Sequence, residues 1–117
     1  MQLNGWGDRC EILHGAGAEE SGVLHMEATA GNNIFTAGSE KSTTLQVDAV
    51  RGDDLVKTYG PFNLLKVDVE GFEKQVLMGC PDILSQRPRL AYELHLALMG
   101  DFGASVGDIF DLIDVGH

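Results

Sequence analysis

The clearest pattern of apolar and polar positions lies in the middle of the chain. Residues 63–69 form a dense apolar run of strand length, and residues 90–94 form a second one. Between them, residues 72–86 carry apolar side chains at spacings of three and four, which predicts a helix, with a break at Gly79 and Pro81. Strand, helix and strand at this length predict a right-handed crossover that makes the two strands parallel.

The flanking segments predict shorter elements, and the whole chain therefore reads as one mixed α/β domain. Short strands are predicted at residues 10–14, 23–26 and 44–50. A turn is predicted at residues 15–22 and a loop at residues 29–42, because both are rich in Gly and lack apolar periodicity. Helices are predicted at residues 52–56 and after Ser105, which we expect to cap the last helix.

Charge and composition exclude several classes of partner. The net charge is −10, with 18 acidic residues against 8 basic ones. Contact with phosphates needs clustered Lys and Arg, so we expect neither nucleic acid nor an anionic membrane as partner. There is no apolar run of about 18 residues and no secretory signal, so we expect a cytoplasmic protein. Cys10 and Cys80 form no CxxC pair, so no zinc site is predicted.

Four ionisable residues follow the two central strands. Asp68 and Glu70 come at the end of the first strand, and Glu93 and His95 at the end of the second. Residues two apart in an extended chain point the same way. Ligands of an open parallel sheet bind beyond the carboxyl ends of its strands. We therefore expect all four side chains at one rim, where they form a candidate site.

Each of these residues also has other interpretations, which stay open. Asp68 and Glu70 can be solvated acids at a strand end, or Glu70 can stabilise the N-terminus of the following helix. Glu93 can form an ion pair with Lys66, and His95 can be a structural histidine. The four side chains can also be ligands of a divalent ion such as Mg²⁺ or Mn²⁺, which would make the chain a metal-dependent enzyme.

The same residues resemble a known family. Residues 63–73 (NLLKVDVEGFE) resemble the "lKiDvEGxE" signature of FkbM-type methyltransferases, and residues 76–79 (VLMG) resemble its "vLxG". Arg87 and Pro88, with residues 93–95 (ELH), are similar to its "RP…E.H" segment. The resemblance extends from about residue 4 to residue 116, and its central signature is the specific part.

The resemblance implies a fold, a cofactor and a reaction. The family has a Rossmann-like class I methyltransferase sheet of strand order 3-2-1-4-5-7-6, which binds S-adenosylmethionine. Its members transfer a methyl group to a hydroxyl oxygen of a small molecule or a sugar, so a small-molecule substrate is expected. For such an enzyme we expect Asp68, His95, Glu93 and Glu70 to be the catalytic residues. We expect Asp68 also to bind the cofactor near its sulfonium, and Ala16 and Gly17 to lie beside its adenine.

The chain departs from the family pattern at its start. The Gly-rich "D.GaN.G" turn and the acidic residue after the second family strand do not precede Asn4. Residues 1–117 then correspond to the central and C-terminal part of the domain, with residues 10–14, 63–69 and 90–94 as family strands 3, 4 and 5. This leaves a gap where strands 1 and 2 belong, and unpaired backbone groups there are costly. We expect a missing segment or a partner chain to complete the sheet, with a non-catalytic remnant as the alternative to an enzyme.

Overall fold

A computed structural model describes residues 5–28, 33–35 and 44–113. The strands in these ranges are β1 (Ala16–Ala18), β2 (Gly22–Ala28), β3 (Asn33–Phe35), β4 (Thr44–Arg51), β5 (Leu64–Val67) and β6 (Arg89–Tyr92). The helices are α1 (Gly52–Tyr59), α2 (Glu73–Met78), α3 (Pro81–Ser85), α4 (Leu96–Met99) and α5 (Val106–Ile113), and a 3-10 turn covers Gly100–Phe102. Within the same ranges, no helix has the length and apolar character needed to cross a membrane.

The central crossover has the predicted form. β5 and β6 are parallel, with Leu64 opposite Arg89 and Val67 opposite Tyr92. The predicted break separates α2 from α3, and Pro81 occupies the first turn of α3, where its missing N–H costs nothing. Both strands end earlier than predicted, at Val67 and Tyr92, so the acidic residues that follow them lie outside the sheet.

The other four strands form a second sheet in the order β1-β4-β2-β3. β1 is parallel to β4, whereas β2 is antiparallel to both β4 and β3. The predicted strand at residues 23–26 is confirmed within β2, and the one at residues 44–50 within β4. Of the predicted loop at residues 29–42, residues 33–35 form β3, and the rest lies outside the described residues.

Two predictions for the N-terminal segment are wrong. Residues 10–14 form no strand, and Ile12 and Leu13 remain 70% and 45% exposed, because no strand of the described ranges pairs with them. β1 instead lies within the predicted turn at residues 15–22. β1 forms because residues 16–18 pair with β4, and its backbone packs closely on the α2–α3 junction, where a Cβ on Gly79 would clash with the backbone of Ala18.

The two sheets are not continuous in the described part of the chain. β1 pairs with β4 there and β5 pairs with β6, and no ladder joins β1 to β5. A cleft of about 350 Å³ lies between them, lined on one side by Gly15, Ala16 and Gly17 and on the other by Leu64 and Leu65. The fold is thus α/β, as predicted, but it is divided into two sheets.

Helix α2 and the residue before it contribute to two apolar clusters. Leu77 packs with Val67 of β5, Met99 of α4 and Ile109 of α5. Phe72, just before the helix, packs with Ala18 and Ala49 of the other sheet. Burying side chains of this size contributes about 1.5–3 kcal/mol each. The residues next to Phe72 and Leu77 therefore have well-defined positions, and Glu73 is among them.

The last helix begins as predicted. The Ser105 hydroxyl accepts a hydrogen bond from the backbone N–H of Asp108 at 3.3 Å, and the Asp108 carboxylate accepts one from the Ser105 N–H at 2.8 Å. This reciprocal pair is a capping box in which Asp takes the place of Glu. It satisfies two backbone donors and places Ile109 in the core.

Candidate functional site

A tight turn connects β5 to α2 and begins the candidate site. Glu70 and Gly71 both have left-handed backbone conformations, with φ of 49° and 101°. A Cβ on Gly71 would lie 2.7 Å from the Cβ of Leu98 and 2.9 Å from its carbonyl carbon. Glycine is needed here because the turn is left-handed and α4 lies directly against it. The contact brings the start of α4, where His95 lies, next to the start of α2.

Glu73 is the buried acid of the site. Its side chain is 0% exposed, and its Oε1 accepts a hydrogen bond from the Gly71 N–H at 3.0 Å. The same oxygen lies 3.0 Å from Nδ1 of His95. Burial alone would raise the pKa of Glu73, but the hydrogen bonds from Gly71 and His95 outweigh it and hold the pKa below its ordinary value. The carboxyl group is therefore ionised at neutral pH.

His95 lies between this buried acid and the protein surface. It precedes α4, and its side chain is partly exposed. Because an ionised carboxylate can only accept hydrogen bonds, Nδ1 of His95 must be the donor to Glu73. The other ring nitrogen, Nε2, faces the rim, 3.9 Å from Oε1 of Glu93. The hydrogen bond to Glu73 is the main cause that raises the pKa of His95, and the charges of Glu93 and Asp68 add to it.

Asp68 and Glu93 complete the rim from the ends of β5 and β6. Both are exposed, and Oδ2 of Asp68 lies 2.7 Å from Nζ of Lys66. The hydrogen bond from Lys66 is the main reason that the pKa of Asp68 lies below its usual value. Potential ligand atoms of Asp68, Glu93 and His95 all lie within 4.8 Å of one another. We call these three residues the rim cluster.

The rim cluster contains three of the four predicted residues, and Glu70 is not among them. The prediction assumed that the chain stays extended as far as Glu70, but β5 ends at Val67 and Glu70 lies in the left-handed turn. Within the described residues, one carboxylate oxygen of Glu70 is buried without a hydrogen-bond partner. Lys66 forms its ion pair with Asp68, whereas an ion pair with Glu93 had been the alternative.

Glu73 had no predicted role, although it completes the site. The available signal was the second glutamate of the segment 70–73 (EGFE), which the resemblance included without assigning it a function. Periodicity did not reveal it, because a charged residue at the first position of a helix is ordinary at the surface. Its complete burial depends on the contact between the turn and α4, which is a tertiary feature.

The predicted cofactor residues Ala16 and Gly17 belong to a different sheet from the two strands that carry the rim cluster. Both belong to β1 and line the cleft between the two sheets. Gly17 faces α2, where a Cβ would lie 3.3 Å from a methyl group of Val76. Their predicted place beside the adenine stays a prediction.

Comparison with known proteins gives one result. The family model described as the methyltransferase FkbM domain matches residues 2–116. No curated protein and no solved structure gives a significant match.

Proposed function

Since the chain belongs to the FkbM methyltransferase family, we propose that it is part of an S-adenosylmethionine-dependent enzyme that methylates a hydroxyl oxygen of a small molecule or sugar. The observation that carries the proposal is the rim cluster at the carboxyl ends of two parallel strands. The acidic residues of this rim suit a cofactor with a positively charged sulfonium group, because carboxylates attract a cation.

The residues of the rim cluster have distinct roles in this proposal. When bound, S-adenosylmethionine supplies an electrophilic methyl group. Nε2 of His95 accepts the proton of the attacking hydroxyl group, because Nδ1 already carries a proton, with which it donates a hydrogen bond to Glu73. Glu93, 3.9 Å from Nε2, orients the hydroxyl group, and Asp68 attracts the sulfonium. Holding the reacting groups in contact can supply roughly 7–11 kcal/mol of the barrier.

We further propose that added strands fill the cleft between β1 and β5, as the resemblance implies. The support is that each of these strands has one neighbour in the described part of the chain and that the cleft lining is apolar. Leu64 is 60% exposed at this edge, where an added strand would cover it. The strands would come from a further segment of the protein or from a partner chain.

A calorimetric and thermal-shift titration with S-adenosylmethionine and S-adenosylhomocysteine tests the proposed activity. We expect measurable heat and a higher melting temperature, with weaker binding of S-adenosylmethionine by Asp68→Asn. Asp101→Asn is the matched control, because Asp101 is an exposed acid outside the rim cluster. Absence of both heat and thermal shift would favour the alternative, a non-catalytic remnant of the same fold.

The rim cluster also favours a second candidate function, that of a metal-dependent enzyme. One histidine nitrogen and two carboxylates within 4.8 Å form a donor set that suits a divalent ion such as Mn²⁺. In that case Nε2 of His95 would be a ligand and could not accept a proton. Titration with Mn²⁺ distinguishes the two, and activity that a chelator leaves unchanged would remove this candidate.

A further inference from the structure

We propose that Glu73 is a positioning residue, whose buried carboxylate fixes the His95 ring with the proton on Nδ1 and leaves Nε2 free to accept the substrate proton. The inference rests on the proposed function, since it assigns the state of the residue that would act as base. It concerns a side chain to which neither the sequence nor the resemblance gave a role.

Glu73 is itself held in place. It is the first residue of α2, its side chain is fully buried, and its Oε1 already accepts the Gly71 N–H. The backbone of His95 is also fixed, since its carbonyl accepts hydrogen bonds from the N–H groups of Leu98 and Met99 of α4. The contact of 3.0 Å therefore joins the ring to an anchored carboxylate, and the ring cannot turn over without losing it.

An ionised carboxylate is costly to bury at this place. Glu73 lies one helical turn before Leu77 of the apolar cluster, and the Gly71 N–H and His95 compensate only its Oε1. Its Oε2 is buried and has no hydrogen-bond partner among the described residues. A buried carboxylate oxygen without a donor is costly, and such groups call for an explanation beyond stability. Orientation of the neighbouring histidine supplies one.

Three acids face His95. Asp68 and Glu93 approach it from the ends of β5 and β6, and Glu73 approaches it from α2. Lys66 lies beside these acids and is paired with Asp68. Of the three acids, only Glu73 forms a direct hydrogen bond with the ring, at 3.0 Å. The two rim acids are exposed and screened by solvent, so they cannot fix the tautomer.

Nitrogen NMR of the histidine-labelled chain tests the proposal directly. In the wild-type protein, neutral His95 is expected as the tautomer that is protonated on Nδ1, with a pKa above the ordinary value of 6.5. In Glu73→Gln, which keeps the size of the side chain, we expect a mixture of tautomers and a pKa closer to 6.5. Glu20→Gln, at an exposed acid outside the site, is the matched control and should change neither property. His95→Asn identifies the resonance.

Two results would overturn the proposal. One is a wild-type His95 that is protonated on Nε2 when neutral, and this measurement needs no variant that could fail to fold. The other is a folded Glu73→Gln protein in which both the tautomer and the pKa of His95 are unchanged. In the complete enzyme, kcat/KM should rise with pH as His95 loses its proton. In Glu73→Gln this rise should move to lower pH. Failure of the chain to bind S-adenosylmethionine while the tautomer is as expected would count against the proposed function alone.

Discussion

Replacement of Gly71 by alanine tests the turn that brings Glu73 and His95 together. The left-handed backbone at φ 101° costs a residue with a side chain about 1–2 kcal/mol. The new Cβ would also lie 2.7 Å from the Cβ of Leu98 and 2.9 Å from its carbonyl carbon, and overpacking of this kind costs about 1–3 kcal/mol. Neither atom can be moved by a change of rotamer. We therefore expect the free energy of unfolding to fall by about 2–5 kcal/mol.

Gly103 provides the matched control for this experiment. It is also left-handed, with φ of 64°, but a Cβ there would meet nothing within 4 Å. Gly103→Ala should therefore lose only the backbone part, about 1–2 kcal/mol. Urea denaturation followed by circular dichroism measures both variants against the wild type. Equal losses in the two variants would show that α4 does not press on the turn and would refute this part of the reasoning.

Three further predictions concern stability and reactivity. Asp53 is buried and accepts hydrogen bonds from two backbone N–H groups at the start of α3, so Asp53→Ala should lower the free energy of unfolding by about 2–4 kcal/mol in a urea titration. Cys80 is buried and its pKa is raised to about 11, mainly by desolvation, whereas Cys10 is exposed. A thiol reagent should therefore label Cys10 quickly and Cys80 only in denaturant. The pKa of Asp108 is lowered to about 2, first by its hydrogen bond with Ser105, so the stability it contributes is present above pH 3.8 and is lost as the pH falls toward 2. Ser105→Ala should make the melting temperature depend less on pH between pH 4 and pH 2, and an unchanged pH dependence would contradict this assignment.

The central crossover could be predicted because its signals are local. Dense apolar runs predicted β5 and β6, apolar residues at helical spacing predicted α2 and α3, and Pro81 indicated the break between the two helices. The N-terminal strands were less predictable. Residues 10–14 had a strand pattern but pair with no strand in the described part of the chain, whereas β1 consists of small residues that pair with β4 and pack against α2.

The candidate site shows the same division. Asp68, Glu93 and His95 could be brought together from their positions after two parallel strands. Glu70 and Glu73 could not be assigned correctly, because the left-handed turn at Glu70 and Gly71 decides where each of the two carboxylates lies. A glycine in the sequence indicates that a turn is possible, but the direction of the turn follows from the contact with Leu98.

The most direct test of the central claim follows the histidine ring resonances during addition of S-adenosylmethionine. If the rim cluster is the reaction centre, the His95 signal should shift at saturating cofactor, whereas His25 on β2, which lies outside the cluster, should stay unchanged. Binding that leaves His95 unchanged, or that shifts His25 instead, would contradict the account.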